Sequence, residues 1–275
     1  MKLRVVVGIL LLLVGLGLPI AATTTHGPPW GFRGHQAVVV EVTGTVEGTI
    51  SEARRVREHA LDDKFAIVPN AHLDVGDEVR VARLSQARIR LESADLVVGD
   101  GVRMTLVQAG IRLTRGLVEI ALRGGARTFT VELETGGSIV LRGVGASARV
   151  LADGKGGAVA WVSDGSLEGR TARGDVLGEP GREIVIRDDE ARVGDRRTEL
   201  NVTATCASQK LNVVAPAMTQ VFAAGALAYP DVTAGADTGS VLLDVDAGTS
   251  VVPVLVRDVH GQLGKASASC GRKQP

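Results

Sequence analysis

The feature that most constrains this chain is a period of two. In "GARTFTVELETGGSIVLRGVGASARV", Gly125 to Val150, residues Phe129, Val131 and Leu133 point one way, and Thr128, Thr130, Glu132 and Glu134 the other. After a Gly-Gly turn the alternation resumes with Ile139 and Leu141 against Val140 and Arg142. Successive side chains on a strand face opposite sides of its sheet, so such a stretch specifies a half-buried strand pair. The same pattern recurs from Ala71 onward: Ala87, Ile89 and Leu91 inward with Arg88, Arg90 and Glu92 outward, then Val118, Ile120 and Leu122 opposite Glu119 and Arg123. Turn signals (Gly99-Asp100-Gly101, Asp153 to Gly157, Asp164-Gly165) punctuate it. One buried and one solvated face predicts antiparallel sheets, in a roll or sandwich, rather than parallel α/β units. The outward Arg and Glu side chains read as a solvated face with cross-strand pairs.

Composition agrees. Gly supplies 35 of 275 residues, as many short strands with tight turns require. The 31 basic side chains balance 31 acidic ones, so no global field draws the protein to nucleic acid or anionic lipid. Two Trp, one Tyr and four Phe leave few rings for a sugar- or base-stacking platform.

The N-terminus, "MKLRVVVGILLLLVGLGLPIAATTT", sets Lys2 and Arg4 before an uncharged run to Ala22. It reads as an export signal cleaved near Ile20-Ala21-Ala22, or as an uncleaved anchor, since the apolar run approaches the ~20 residues that span a bilayer. Both readings place the remainder outside the cytoplasm, in the periplasm or at the cell surface. No Cys follows the run to take a lipid. The only cysteines, Cys206 and Cys270, lack the CxxC spacing of a redox pair and are expected to form a disulfide in an oxidising compartment.

Five regions follow. Residues 1–22 are the signal or anchor, expected as an apolar helix, and 23–35, rich in Thr, Gly and Pro, are a tether. Residues 36–187 are the main β domain. The charged run within 188–198 is a linker, and 199–275 form a small second β unit whose terminal strands the disulfide would staple. At "TISEARRVREHALDDKF" a short helix competes with a charged hairpin tip. Ala53, Val56, Ala60 and Leu61 share one helical face and Ser51 is available as N-cap, yet no Glu or Gln stands three residues on, and the hairpin is favoured.

The order of the strand segments resembles the FecR domain of bacterial envelope signalling proteins over roughly Gln36 to Arg187. "LDVGDEVRV" is similar to the family's opening, "SQARIRLESADLVVGDGVRMTL" to its first strand pair and "IRLTRGLVEIAL" to its next element. "FTVELETGGSIVLRGVGASARV" resembles its core and "GAVAWVSDGSLEG" its closing hairpin. The family's VRGT reads Leu141-Arg142-Gly143-Val144 here, and its DGS is Ser93-Ala94-Asp95, as in a divergent member. The matching positions are Gly76, Asp77, Gly116, Arg142, Gly143 and Gly165. The resemblance implies an all-β FecR-like roll or sandwich, here followed by a small Ig-like sandwich, and a role in protein interaction in envelope signalling or scaffolding. Relatives bind a sigma factor through a cytoplasmic segment. Only Met1 to Arg4 precede the apolar run here, so direct sigma-factor binding is not expected.

No catalytic constellation stands out. His26, His35, His59, His72 and His260 pair with no zinc-spaced ligand, and neither a nucleophile elbow nor an S-x-x-K motif occurs. Asp244-x-Asp246 with Gly248 lacks the downstream Glu of a calcium loop, and Asp153 to Gly157 reads as a hairpin turn rather than a phosphate cradle. Arg54, Arg55 and Arg57 read as a solvated cluster, Trp161 as core and Trp30 as an interfacial anchor. Asn201-Val202-Thr203 matters only where hosts glycosylate such sites. The expectation is a non-enzymatic envelope protein without cofactor or metal. It would have an envelope protein as partner and the inner membrane as anchor if residues 5–22 are retained, and would not bind nucleic acid. The alternative is a cell-wall or surface glycan-binding module.

Overall fold

The computed structural model describes residues 36–60, 62–134, 136–196, 198–232, 236–246 and 249–270. The expected signal or anchor, the tether and Trp30 lie outside the described residues. Among the described residues no helix is long and apolar enough to cross a membrane.

The described chain is all-β with one short helix. Its first strands are β1 (Ala37–Thr43) and β2 (Val46–Thr49), followed by helix α1 (Glu52–Glu58), β3 (Lys64–Ala66), β4 (His72–Leu73) and β5 (Glu78–Val81). Then come β6 (Gln86–Leu91), β7 (Ala94–Val98), β8 (Arg103–Val107), β9 (Gly110–Leu122) and β10 (Thr128–Leu133). The long β11 (Ser138–Asp153) and β12 (Ala158–Thr171) lead to β13 (Gly174–Gly178), β14 (Arg182–Arg187) and β15 (Glu190–Asp195).

These 15 strands share one hydrogen-bonded network, which β9, β11 and β12 fold into two layers. In the first layer the order is β4-β1-β6-β7-β9-β11-β12-β14-β15, built on the second half of β9 and on Ser147–Asp153 of β11. In the second, β3, β2, β5 and β8 lead to Gly110–Leu113 of β9. That segment continues through β10, Ser138–Arg142 of β11 and Ser166–Thr171 of β12 to β13. The pairings are antiparallel except β9 with β10, where Gly110–Leu113 run parallel to Thr130–Leu133. Parallel neighbours need a long crossover, and the second half of β9 together with residues 123–127 supplies it.

The alternation places the core between the layers. Ile89, Leu96, Val118 and Val150 from the first face Met104, Ile111, Phe129 and Leu141 from the second, all fully or almost fully buried. The bends sit where a side chain would not fit. Gly116 has φ +100°, and a Cβ there would lie 2.6 Å from the Val102 Cα. Gly165 has φ +91°, and its Cβ would meet that of Ala146 at 2.5 Å, beside the register shift between Arg142 and Ser147. Both are corners at which a strand changes layer.

Two sequence expectations need correction. The segment after β2 is helical, not a hairpin tip: Ser51 caps α1 by accepting from the Arg54 N–H, and His59 closes it in the left-handed conformation. The capping-box Glu is replaced by a distant group, Asp77, which accepts from the Ser51 N–H at 2.8 Å. The expected linker, 188–198, is in part β15, which pairs along its whole length with β14 after a turn at Asp188 and Asp189, both at positive φ. A charged sequence suits an exposed edge strand as well as it suits a linker.

The remaining strands are β16 (Thr203–Ala207), β17 (Lys210–Pro216), β18 (Gln220–Ala223), β19 (Ala226–Ala228), β20 (Thr238–Asp244), β21 (Val251–Arg257) and β22 (Leu263–Ser269). They form a three-stranded sheet, β16-β17-β20, and a four-stranded one, β19-β18-β21-β22. The two close over a second core of Leu211, Val213, Val241, Val254 and Val256. Cys206 in β16 and Cys270 just past β22 form the expected disulfide, Cα atoms 5.1 Å apart.

Gly165→Ala is expected to destabilise the chain by at least about 2 kcal/mol through left-handed backbone and overpacking, read as a lower urea midpoint. Replacing both cysteines by Ser opens a loop with a sequence separation of 64. It is expected to cost about 4 kcal/mol by chain entropy, seen in the same titration.

Candidate functional site

The family-motif positions fall in three separate places. Gly76 and Asp77 lie on the turn beneath α1. Asp77 is fully buried and accepts from the Ser51 N–H, from the Asp74 N–H at 3.0 Å and from the Arg54 guanidinium at 2.6 Å. Arg54 also donates to the His72 carbonyl and lies over the Phe65 ring. Burial alone would lower the basicity of Arg54, but the hydrogen bond and charge of Asp77 outweigh it and raise it. This carboxylate is a latch for the helix. Gly116 is at the β9 bend. Arg142, Gly143 and Gly165 meet at the β11–β12 corner, where a Cβ on Gly143 would lie 3.3 Å from the Gly165 Cα. There Arg142 pairs with Glu168, whose carboxylate Arg170 and then Arg142 hold below its usual range. The six positions shape the backbone and do not converge on one site.

The other candidates also resolve into structure. Asp153 closes the β11–β12 hairpin by accepting from the N–H groups of Lys155 and Gly157, at 2.7 and 2.9 Å. Asp244 pairs with Lys210, while Gly248 lies outside the described residues. Arg55 pairs with Glu52, and Arg57 with Asp74 and Glu58. His59 is the C-cap of α1 and His72 is in β4; His26 and His35 lie outside the described residues. Among the described residues no group of three His, Cys, Asp or Glu side chains is placed to hold a metal. The solvated rows carry the expected pairs, Arg112 with Glu132 and Arg149 with Glu119. At Glu78 burial raises the carboxyl pKa, but Arg80 and Arg103 outweigh it and lower it.

The place where polar and apolar groups do converge is a seam. The outer face of the first layer meets the loops of the C-terminal sandwich. Leu117, Leu151 and Val159 from the layer pack against Ala217, Met218 and Val259 from the sandwich, with Trp161, Val185, Tyr229 and Val232 around them. Three polar stations surround this centre. At the first, fully buried Gln220 reaches the Asp100 carbonyl (3.4 Å) and the Tyr229 hydroxyl (3.2 Å). Its carbonyl oxygen accepts two bonds from Arg257, at 3.0 and 2.7 Å. At the second, Glu183 and His260, both buried, contact each other, and Arg149 donates to the His260 carbonyl at 2.8 Å. At the third, Arg187 donates to the carbonyls of Val232 (2.9 Å) and Ala236 (3.0 Å), near a Lys155–Asp231 ion pair.

Trp161, expected in the core, belongs to this seam. It is half-buried, its ring edge-on to His260 with centroids 5.1 Å apart. The sequence carried a usable signal. In "ARVLAD" and "AVAWV" the alternation breaks down, and Leu151 and Val159 are buried alongside Val150, Ala158 and Ala160. Strands apolar on both faces are covered on both faces.

Tyr229 makes the seam measurable. Burial raises its phenol above the ordinary value, despite the hydrogen bond from Gln220. A raised phenol contributes stability that is complete below its unfolded pKa of about 10 and is lost as pH rises through the folded value. Because the chain has a single Tyr, alkaline titration of its phenolate absorbance reports this seam alone. The expected midpoint lies above that of free tyrosine and rises further in Gln220→Leu together with Arg257→Leu, because the hydrogen bond from Gln220 and the charge of Arg257 both favour the phenolate.

A scan of the chain against protein-family models finds no match, and a search of the curated proteins finds no relative.

Proposed function

We propose that this chain is a non-enzymatic, exported cell-envelope protein, a divergent FecR-like β domain joined to an Ig-like module. Its function in this reading is to engage another envelope protein in signalling or scaffolding. The observation that carries the reading is the seam: part of the outer face of the large domain, at Leu117, Leu151 and Val159, is covered by a second β module held through polar stations. The strands β13, β15, β20 and β22 lie at the edges of their sheets. Edge strands recruit partners by strand addition, which suits this purpose.

Three further features support it. The two layers joined by bent strands suit a FecR-like roll, and two sheets tied by one disulfide suit an Ig-like module. The disulfide also suits an oxidising, exported setting, with residues 5–22 as the inner-membrane anchor where they are retained. Chemistry-bearing side chains are engaged with one another: Asp77 with Arg54, Glu183 with His260, Gln220 with Arg257. The glycan-binding alternative lacks a comparable observation, because among the described residues every aromatic ring is at least half covered. Nucleic acid and a sigma factor are not partners in this reading.

The test is in-envelope crosslinking with the full chain as bait and mass spectrometry as readout. The expected result is a reproducible protein partner whose crosslinks map to residues of the two β units. Retention of wall or surface polysaccharide with no crosslinked protein would overturn the reading.

A further inference from the structure

The outward face of the four-stranded sheet carries a groove of about 410 Å³ that nothing above uses. Its floor is apolar, Phe222, Pro253 and Leu255, and Lys265 stands beside it on the next strand (Phe222 beside Leu255, Leu255 beside Lys265). Its rim is cationic. Arg83 borders it from the large domain and Lys265 from β22, and no carboxylate lines it. Among the described residues Lys265 has no ion pair, so its charge is unspent. Arg257 lies over the Phe222 ring at 5.4 Å, with its charge directed to Asp100 at 3.7 Å, so the rim charge is that of Arg83 and Lys265. One wall is the two-residue turn Ala224-Gly225, both at positive φ, and Arg83 pins it by donating to the Gly225 carbonyl. The groove is therefore preformed and framed by both β units.

From this charge complementarity we propose that the groove docks an extended acidic segment of a partner protein. An apolar side chain such as Leu or Phe would be seated on Phe222 and Leu255, with flanking carboxylates facing Lys265 and Arg83. The volume suits a side-chain anchor, since ligand pockets start near 300 Å³. Charges on such a rim set partner choice, and reversing one places like charges against the acidic segment. The inference rests on the reading of the chain as an interaction protein and adds the chemistry of the partner.

The test uses the full chain and two end-capped, fluorescently labelled hexapeptides, Glu-Asp-Leu-Phe-Asp-Glu and Lys-Arg-Leu-Phe-Arg-Lys, followed by anisotropy. The acidic peptide is expected to bind, more weakly as salt rises, and the basic one not to bind. Lys265→Glu, on an exposed side chain, is expected to weaken binding about tenfold, and Phe222→Ala to weaken it too, while Lys64→Glu on the distant β3 leaves it unchanged. Equal binding of both peptides, no binding of the acidic peptide at millimolar concentration, or wild-type affinity in Lys265→Glu would each overturn the proposal. The two readings fail separately: a null peptide titration leaves envelope crosslinks standing, and their loss leaves the titration untouched.

Discussion

Three strands, β9, β11 and β12, belong to both layers of the large domain, and the rest of the architecture depends on that sharing. Two independent sheets could slide over their common core. Here the long strands pass through corners at Gly116 and Gly165, so the register in one layer fixes the register in the other. A one-residue slip on a strand exchanges its buried and exposed faces, and in a strand common to two layers it would do so in both. The core residues Ile111, Leu141 and Leu167 on one side and Val118, Val150 and Ala160 on the other are thereby set by the same backbone.

The seam is the second consequence. The first layer is apolar on its outer face at Leu117, Leu151 and Val159, and the C-terminal sandwich covers it. Apolar area drives this contact without giving it direction. Direction comes from the polar stations around it, where Gln220 takes two bonds from Arg257 and reaches Tyr229, and where Glu183 meets His260. A buried polar group left without a partner costs more than its bond contributes, so each station admits few orientations of the sandwich.

Much of this was legible. Period-two alternation marked Ile89, Val131 and Ile139 as inward-facing, turn residues marked the Asp153 hairpin, and two lone cysteines marked the disulfide. What escaped depended on groups far apart in sequence. Helix α1 owes its first turn to Asp77, 26 residues beyond Ser51, and no local capping rule reports such a partner. β15 has the composition of a linker because an edge strand meets water along one side. The parallel contact of β9 with β10 follows from the bend in β9, which alternation does not record. The groove on the sandwich depends on Arg83 meeting Gly225 across 142 residues.

The seam also imposes an order in time. As the chain emerges from N- to C-terminus, the first layer can close once β14 and β15 are made, but its cover comes from residues 217–259, still to follow. During that interval Leu117, Leu151 and Val159 are bare, an adhesive patch on an otherwise finished domain. Cys206 emerges soon after that layer, yet its partner follows 64 residues later, so the correct bond can be made only after β22 has arrived. Oxidation therefore comes last, and a chain of this design needs a holding factor or a rapid second half to keep its newest surface from a neighbour's.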